Sequence, residues 1–376
     1  MEFIAESSGS ATVVDDLVDV LTNFLIIKAG AIDSITPIGT GLIHGTWKVQ
    51  LVDESMYVLQ RVNQNVFPEP SKLTENIDAI ASFLRVTSPD YQIAAPVRTS
   101  SGSFNVERTN SDLSTIYYRL FPFIMGSHVH QTVASPELAF EASKQFAKFS
   151  RVLGDFNLDQ LHITLEGFHD LSRRFAKFEE SAKVCQRGQC DSIAWEHVQF
   201  IRSLKVSIVG RYEHIVASPV FKRRVMHHDT KISNVLFSGN GVGLCVIDLD
   251  TVMPGLFISD VGDMIRTYVC PVDENEADFS KITLRDDYLY AIVEGYLTEL
   301  GPELSTEEKG SFVYAGKFML YMQALRFLAD YLDGDVYYPI DYPTHNLVRA
   351  GNQITLLQQL IERESLYCAN IATMYL

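Results

Sequence analysis

The sequence predicts an α+β chain in two lobes, a small β-rich one over residues 1–122 and a larger, mainly helical one over 123–376. Three observations predict it. The first third alternates glycine-bearing turns with short runs of β-formers. From residue 136 onward, apolar residues recur at intervals of three and four. The change of character falls once, in LFPFIMGSHVH at 120–130, with no internal repeat and no long linker. A chain of 376 residues, 47% hydrophobic and 21% charged, carries enough apolar material for two cores.

The elements follow in order. Val14, Leu17, Leu21, Phe24 and Leu25 give helical periodicity over 11–29. TPIGTGLIHGTWKVQLV at 36–52 reads as a glycine-bearing turn between strands, and MYVLQRV at 56–62 as the next strand. Residues 71–86 are amphipathic, with Leu73, Ile77, Ile80 and Leu84 on one side. Short strands fit 103–107 and 115–120. Helices then dominate in ELAFEASKQFAKFSRVLGDF, FHDLSRRFAKFEESAKV and WEHVQFIRSLKVSIVGRYEHIV, and again at 281–300, 306–333 and 351–374. The stretch around 225–250 is the one strand-like interruption.

Charge and composition exclude several functions. A formal net charge of -16 repels polyanions, so neither nucleic acid nor an anionic membrane is an expected partner. No run approaches the ~18 apolar residues of a membrane span, and MEFIAESSGSATVVDDL lacks the basic region and apolar core of a signal peptide. Five cysteines without a C-x-x-C pair point to reduced, mostly buried thiols, with oxidation of Cys185 to Cys190 as the alternative. The expectation is a cytoplasmic protein, a monomer or weak dimer.

The chemistry gathers at VMHHDTKISNVLFSGNGVGLCVIDLD, residues 225–250. Asn-Gly at 240–241 between two apolar runs marks a hairpin. Folding the chain about Gly241 sets Asn234 beside Asp248, with Asp229 in the loop just before. Two carboxylates and an amide make an all-oxygen cluster suited to Mg²⁺. Zinc is not expected, because the adjacent His227 and His228 point to opposite sides of an extended chain. The spacing of His227, Asp229 and Asn234, with Asp248 later, follows the H-R-D-x-x-x-x-N and metal-holding aspartate of protein kinases. Position 250 is Asp250 rather than glycine, and there is no A-P-E.

A protein-kinase-like bilobal fold asks for matching parts in the first lobe. GTGLIHGTW offers Gly39 and Gly41 for a phosphate-covering turn. YVLQ places Gln60 where the usual lysine would stand, a donor without charge. Glu75 sits in the following helix, and Pro122, Phe123 and Ile124 fall in a hinge whose backbone groups suit a purine edge. Asp250 extends the acidic groove, whereas Asp260 and Asp263 in SDVGDMIR are expected to cap the following helix.

The chain resembles the aminoglycoside phosphotransferase/choline kinase superfamily. Within it, GTGLIHGTW, YVLQRVNQNVF, FHDLSRRF, HHDTKISNVLF, IDLDTVMPGLFISDVGDMIR, RFLADYLDGDVYY and HNLVRA are similar to the N-acetylhexosamine 1-kinases, across 39–350. Gln60 also suits that group. The resemblance implies transfer of a phosphoryl group from ATP, with Mg²⁺, to the anomeric hydroxyl of N-acetylglucosamine or N-acetylgalactosamine. It implies Asp229 as base and Asn234 and Asp248 as metal ligands. Arg326, Asp330 and Tyr337 lie in its late stretch as candidate sugar contacts, although Arg326 and Asp330 at i, i+4 also read as a helix-surface ion pair. The alternatives are another small-alcohol acceptor, such as an aminoglycoside or choline, or a catalytically silent nucleotide-binding module, which Gln60 favours.

Overall fold

The computed structural model describes residues 10–375 except 29, 39–42, 110–113, 187 and 189, with the side chains of 10–15 and 186 left aside. The chain divides into two compact units, 1–127 with 159–164, and 128–158 with 165–376. The first holds an antiparallel sheet in the order β1-β2-β3-β5-β4: β1 Ile32–Pro37, β2 Gly45–Leu51, β3 Met56–Arg61, β4 Asn105–Thr109 and β5 Thr115–Pro122. Alternation buries Val49, Leu51, Leu59 and Leu120 on one face, against Leu17, Val20, Leu21 and Phe24. Each such side chain removed from water contributes roughly 1.5–3 kcal/mol.

The first helix, α1, is shorter than its periodicity suggests and spans Ser10–Leu21. Thr22 Oγ1 and Asn23 Nδ2 fold back onto the Asp19 carbonyl at 2.9 and 2.7 Å, a local competition that ends the helix. Phe24 then bridges to Thr99, and Leu25 is exposed rather than packed. Helix α2, Pro70–Thr87, has Pro70 at its start and buries the expected Leu73, Ile77, Ile80 and Leu84. Its Asn76 Nδ2 donates to the His162 carbonyl at 2.9 Å while Oδ1 accepts from the His162 N–H at 2.8 Å, tying 159–164 into this unit.

The second unit is helical around Phe312–Leu332, which is buried along nearly its whole length. Glycines let neighbouring helices close in. A Cβ on Gly295, in Asp286–Leu300, would sit 2.3 Å from the Phe140 carbonyl oxygen in Pro136–Val152. One on Gly262, in Phe257–Tyr268, would sit 2.4 Å from the Ala315 carbonyl oxygen. The last expected helix is two, His345–Glu362 and Glu364–Ala372, broken at Arg363. The expectation of reduced thiols fails at one place. Cys185 and Cys190 are bonded to each other, their Cα atoms 4.8 Å apart and within disulfide reach, while Cys245 and Cys270 are buried free thiols.

Candidate functional site

The loop 227–234 is held by the helix Phe257–Tyr268 behind it. Asp260 accepts the backbone N–H of His227 at 3.0 Å on one oxygen and of His228 at 2.8 Å on the other. Asp263 accepts the Thr230 N–H at 2.8 Å, and Thr230 Oγ1 donates to the Asp260 carbonyl at 2.8 Å. Tyr268 Oη closes the set on the Thr230 carbonyl at 2.5 Å. These aspartates were expected to cap their own helix. They hold the loop instead, and the helix starts at Leu256 without a side-chain cap. Five backbone groups that burial would leave unpaired are thereby satisfied.

The electrostatics follow from that burial. Desolvation pushes the Asp260 carboxyl up to about 7, against the pull of the two N–H groups it accepts. Burial depresses His228 to about 4 and lowers His227. His228 also adopts φ of 65°, and the ring would strike a Cβ on Gly255 at 2.4 Å. A non-glycine residue in that region costs about 1–3 kcal/mol and persists only where its surroundings enforce it. Arg266 joins Asp263 Oδ1 through Nη2 at 2.9 Å and Glu274 Oε2 through Nη1 at 2.8 Å, extending the network behind the loop toward the half-buried Glu274.

In front of this frame stand Asp229, Lys231 and Asn234. Asn234 Nδ2 donates to the Asp229 carbonyl at 2.9 Å and to its Oδ2 at 3.1 Å. Lys231 Nζ lies 3.0 Å from the same Oδ2. Burial pulls the Lys231 pKa down, but Asp229 and then Asp248 carry it above the usual lysine range. Lys231 is a site residue that spacing alone does not single out; its signal is a cation two places after the aspartate in an acidic chain.

The hairpin differs from the expected symmetry by one residue. Strands Val235–Ser238 and Gly243–Val246 pair Val235 with Val246, and a register shift follows at Leu236/Phe237. The residue opposite Asn234 is therefore Ile247, whose N–H donates to the Asn234 carbonyl at 2.9 Å. Asp248 follows at φ of 61°, where the chain turns out of the strand. That turn brings carboxylate oxygens of Asp248 and Asp250 within 4.8 Å of each other. With Asn234 Nδ2 turned to Asp229, its Oδ1 is the atom left for a ligand. Amide and carboxylate oxygens of this kind fit a hard cation such as Mg²⁺.

In the first unit, Gly39 and Gly41 lie outside the described residues. Gln60 Oε1 accepts from Arg119 Nε at 3.0 Å, across the β3–β5 register. Glu75 faces His162 at 2.8 Å, so the lysine–glutamate pair of kinases has no counterpart between positions 60 and 75. Pro122 ends β5, the Phe123 N–H donates to the Met56 carbonyl at 3.0 Å, and the Ile124 carbonyl accepts from Ser127 Oγ at 2.5 Å.

The late candidates separate. Asp330 does not pair with Arg326. Its Oδ1 accepts the N–H of Val336 and Tyr337 at 3.1 and 2.8 Å, and its Oδ2 accepts from the Tyr338 N–H and Asn346 Nδ2 at 2.9 and 3.1 Å. Three consecutive backbone donors outcompete a flexible ion pair on a helix surface. Arg326 donates to Gln323 Oε1 at 3.0 Å and lies 5.5 Å from the Tyr338 ring centroid, whereas Tyr337 is 67% exposed.

Comparison with known proteins agrees with this geometry. The family described as APH, phosphotransferase enzyme family, matches residues 34–296, well over half of the chain. Among solved structures, the microcompartment-associated aminopropanol kinase superposes with a TM-score of 0.64 at 16% identity, covering 93% of this chain and 98% of its own. The aminoglycoside phosphotransferase of Alicyclobacillus acidocaldarius subsp. acidocaldarius DSM 446 gives 0.60 at 13% identity, covering 92% and 95%. A choline kinase from Cryptosporidium parvum Iowa II gives 0.58 at 13%, covering 93% and 97%. These likenesses establish a shared protein-kinase-like α+β fold. Among the described residues, no helix is long and apolar enough to cross a membrane. With an aspartate, an amide and a lysine gathered on one loop and a family match across most of the chain, the protein belongs to the APH family, the phosphotransferase enzyme family.

Proposed function

We propose that this enzyme transfers the γ-phosphoryl group of ATP to the anomeric hydroxyl of an N-acetylhexosamine, N-acetylglucosamine or N-acetylgalactosamine, giving the sugar 1-phosphate. The observation that carries the transfer is the Asp229 carboxylate, fixed by Asn234 at 3.1 Å and Lys231 at 3.0 Å on a loop clamped from behind. The acceptor assignment rests on the stretches similar to N-acetylhexosamine 1-kinases, IDLDTVMPG above all.

In this reading, residues 1–122 form the nucleotide-binding lobe and 123–376 the catalytic one. Asp229 orients the acceptor hydroxyl and takes its proton as the O–P bond forms. An anomeric hydroxyl is more acidic than an ordinary alcohol, which eases that step. Lys231 places a positive charge beside the reacting oxygens. Asn234 and Asp248 would hold Mg²⁺, which when bound neutralises phosphate charge. Gln60 contributes hydrogen bonds rather than charge, and Asp250, Arg326 and Tyr337 belong to the acceptor side. The same reading carries a cytoplasmic enzyme acting as a monomer or weak dimer.

The test is product NMR after incubation with ATP, Mg²⁺ and N-acetylglucosamine. A phosphorus-coupled anomeric proton is the expected result, and loss of turnover in chelator is expected with it. Phosphate at another hydroxyl, or ATP binding without turnover on any acceptor, refutes the assignment.

A further inference from the structure

Two guanidinium groups meet on one loop of the second unit. Arg174, in the helix Leu171–Ser181, donates through Nε and Nη2 to the Phe168 carbonyl at 3.4 and 3.3 Å. Arg326, in Phe312–Leu332, lies 5.9 Å from the Phe168 ring centroid and 5.5 Å from that of Tyr338. The Phe168 ring stacks on His169 at 4.5 Å, and His169 meets the ring of His228, the residue before Asp229, at 5.3 Å. A continuous chain of contacts therefore runs from the two arginines to the catalytic loop.

Neither arginine has a carboxylate within 4.0 Å among the described residues, in a chain of net charge -16. The nearby acids are committed elsewhere. Asp330 holds the 336–338 backbone and Asn346, Glu274 holds Arg266, and Asp170 accepts the Arg173 N–H at 3.0 Å. Burial first, and then the charge of Arg326, lower the Arg174 pKa. His169, lowered by burial and by His228, Arg326 and Arg174, has a buried Nδ1 without a hydrogen-bond partner. Half-buried cations without counter-charge favour a ligand that presents oxygen lone pairs and disfavour one that adds a cation.

We infer that Arg174 and Arg326 form a charge filter on the acceptor side of Asp229, admitting acceptors that present a carbonyl or hydroxyl oxygen there and rejecting acceptors that carry an ammonium group. The inference rests on the proposed role of Asp229. It gives the acetamido group of an N-acetylhexosamine a physical reason to be preferred over the free amine, since acetylation removes the positive charge and supplies a carbonyl oxygen.

The experiment compares kcat/KM for N-acetylglucosamine and glucosamine at a pH where the amine is protonated, with choline and ethanolamine alongside. The wild type should prefer the acetylated sugar by about 100-fold or more and leave both amino alcohols unphosphorylated. In the R174Q/R326Q variant the ratio should narrow at least about tenfold, through a raised KM for the acetylated sugar and a lowered KM for the amine. Arg326→Lys, which keeps the charge, should retain rejection of the amine. Equal use of both sugars by the wild type, turnover of choline or ethanolamine, or a ratio unchanged in R174Q/R326Q overturns the filter. If N-acetylglucosamine is not phosphorylated while an uncharged acceptor is and its amino analogue is not, the proposed acceptor falls and the filter stands.

Discussion

The loop around Asp229 and the patch around Phe168 treat charge in opposite ways. Behind the loop, every buried acid has partners: Asp260 and Asp263 accept backbone N–H groups, and Arg266 bridges Asp263 to Glu274. At the patch, Arg174 and Arg326 stand near each other on carbonyl oxygen and aromatic faces. The first arrangement fixes a geometry and leaves little for a ligand to do. The second leaves charge for a ligand to answer. In the proposed reading, the first holds the reacting groups and the second selects what reacts.

The largest expected effect breaks the loop's chemistry without its frame. Asp229→Asn keeps an acceptor for Asn234 and Lys231 but loses the proposed base. We expect kcat to fall by about 10²–10⁴-fold with an unchanged melting temperature, measured by coupled ADP release and calorimetry. Near-normal turnover would remove Asp229 from the proton step.

Asp260→Ala breaks the frame itself. It strands the N–H groups of His227 and His228 in a site where Asp260 is only 1% exposed. The expected cost is about 2–4 kcal/mol of stability, read from denaturant unfolding. A loss under about 0.5 kcal/mol, the range of an ordinary surface substitution, would mean the loop is held by other contacts. Lys231→Met should leave the frame intact and lower kcat by about 10–100-fold with a smaller change in KM, since Lys231 acts on charge beside Asp229.

The same contrast explains what was legible in the sequence. Alternation and 3.6-residue periodicity carried the sheet of the first unit, the helix Pro70–Thr87 and the long C-terminal helices, because those faces are buried against large cores. The Asp229–Asn234 spacing carried the contact between those two side chains because both ends of it touch. The hairpin register was missed by one residue, since a register shift at Leu236/Phe237 leaves no mark in an apolar run. Asp260 and Asp263 read as caps because an aspartate near a helix start usually is one; their distant partners, 33 and 32 positions back, have no local signature. The i, i+4 spacing of Arg326 and Asp330 misled for the same reason, since the donors that hold Asp330 lie beyond the helix at 336–338. Arg174 and His169 lie within FHDLSRRF, where only the fold shows that the basic residue faces a second arginine from a helix 152 positions away.

The smallest effect tests the loop through pH. His228 is held neutral, with its pKa lowered from 6.5 to about 4. A depressed base contributes stability above its unfolded pKa, and that stability is lost as pH falls through the folded value, so the window runs from about 6.5 down to about 4. Asp260, raised to about 7, works the other way, losing its contribution as pH rises from 3.8 through 7. The two oppose each other in the wild type, so the total pH profile does not isolate either. Asn accepts the left-handed backbone at 228 and does not titrate. His228→Asn should therefore lose less stability than the wild type between pH 7 and pH 5, by about 2 kcal/mol, while Asp260 contributes alike to both proteins. Parallel stability curves for the two would show that the imidazole charges without straining the loop, and that the clamp on Asp229 is indifferent to what sits beside it.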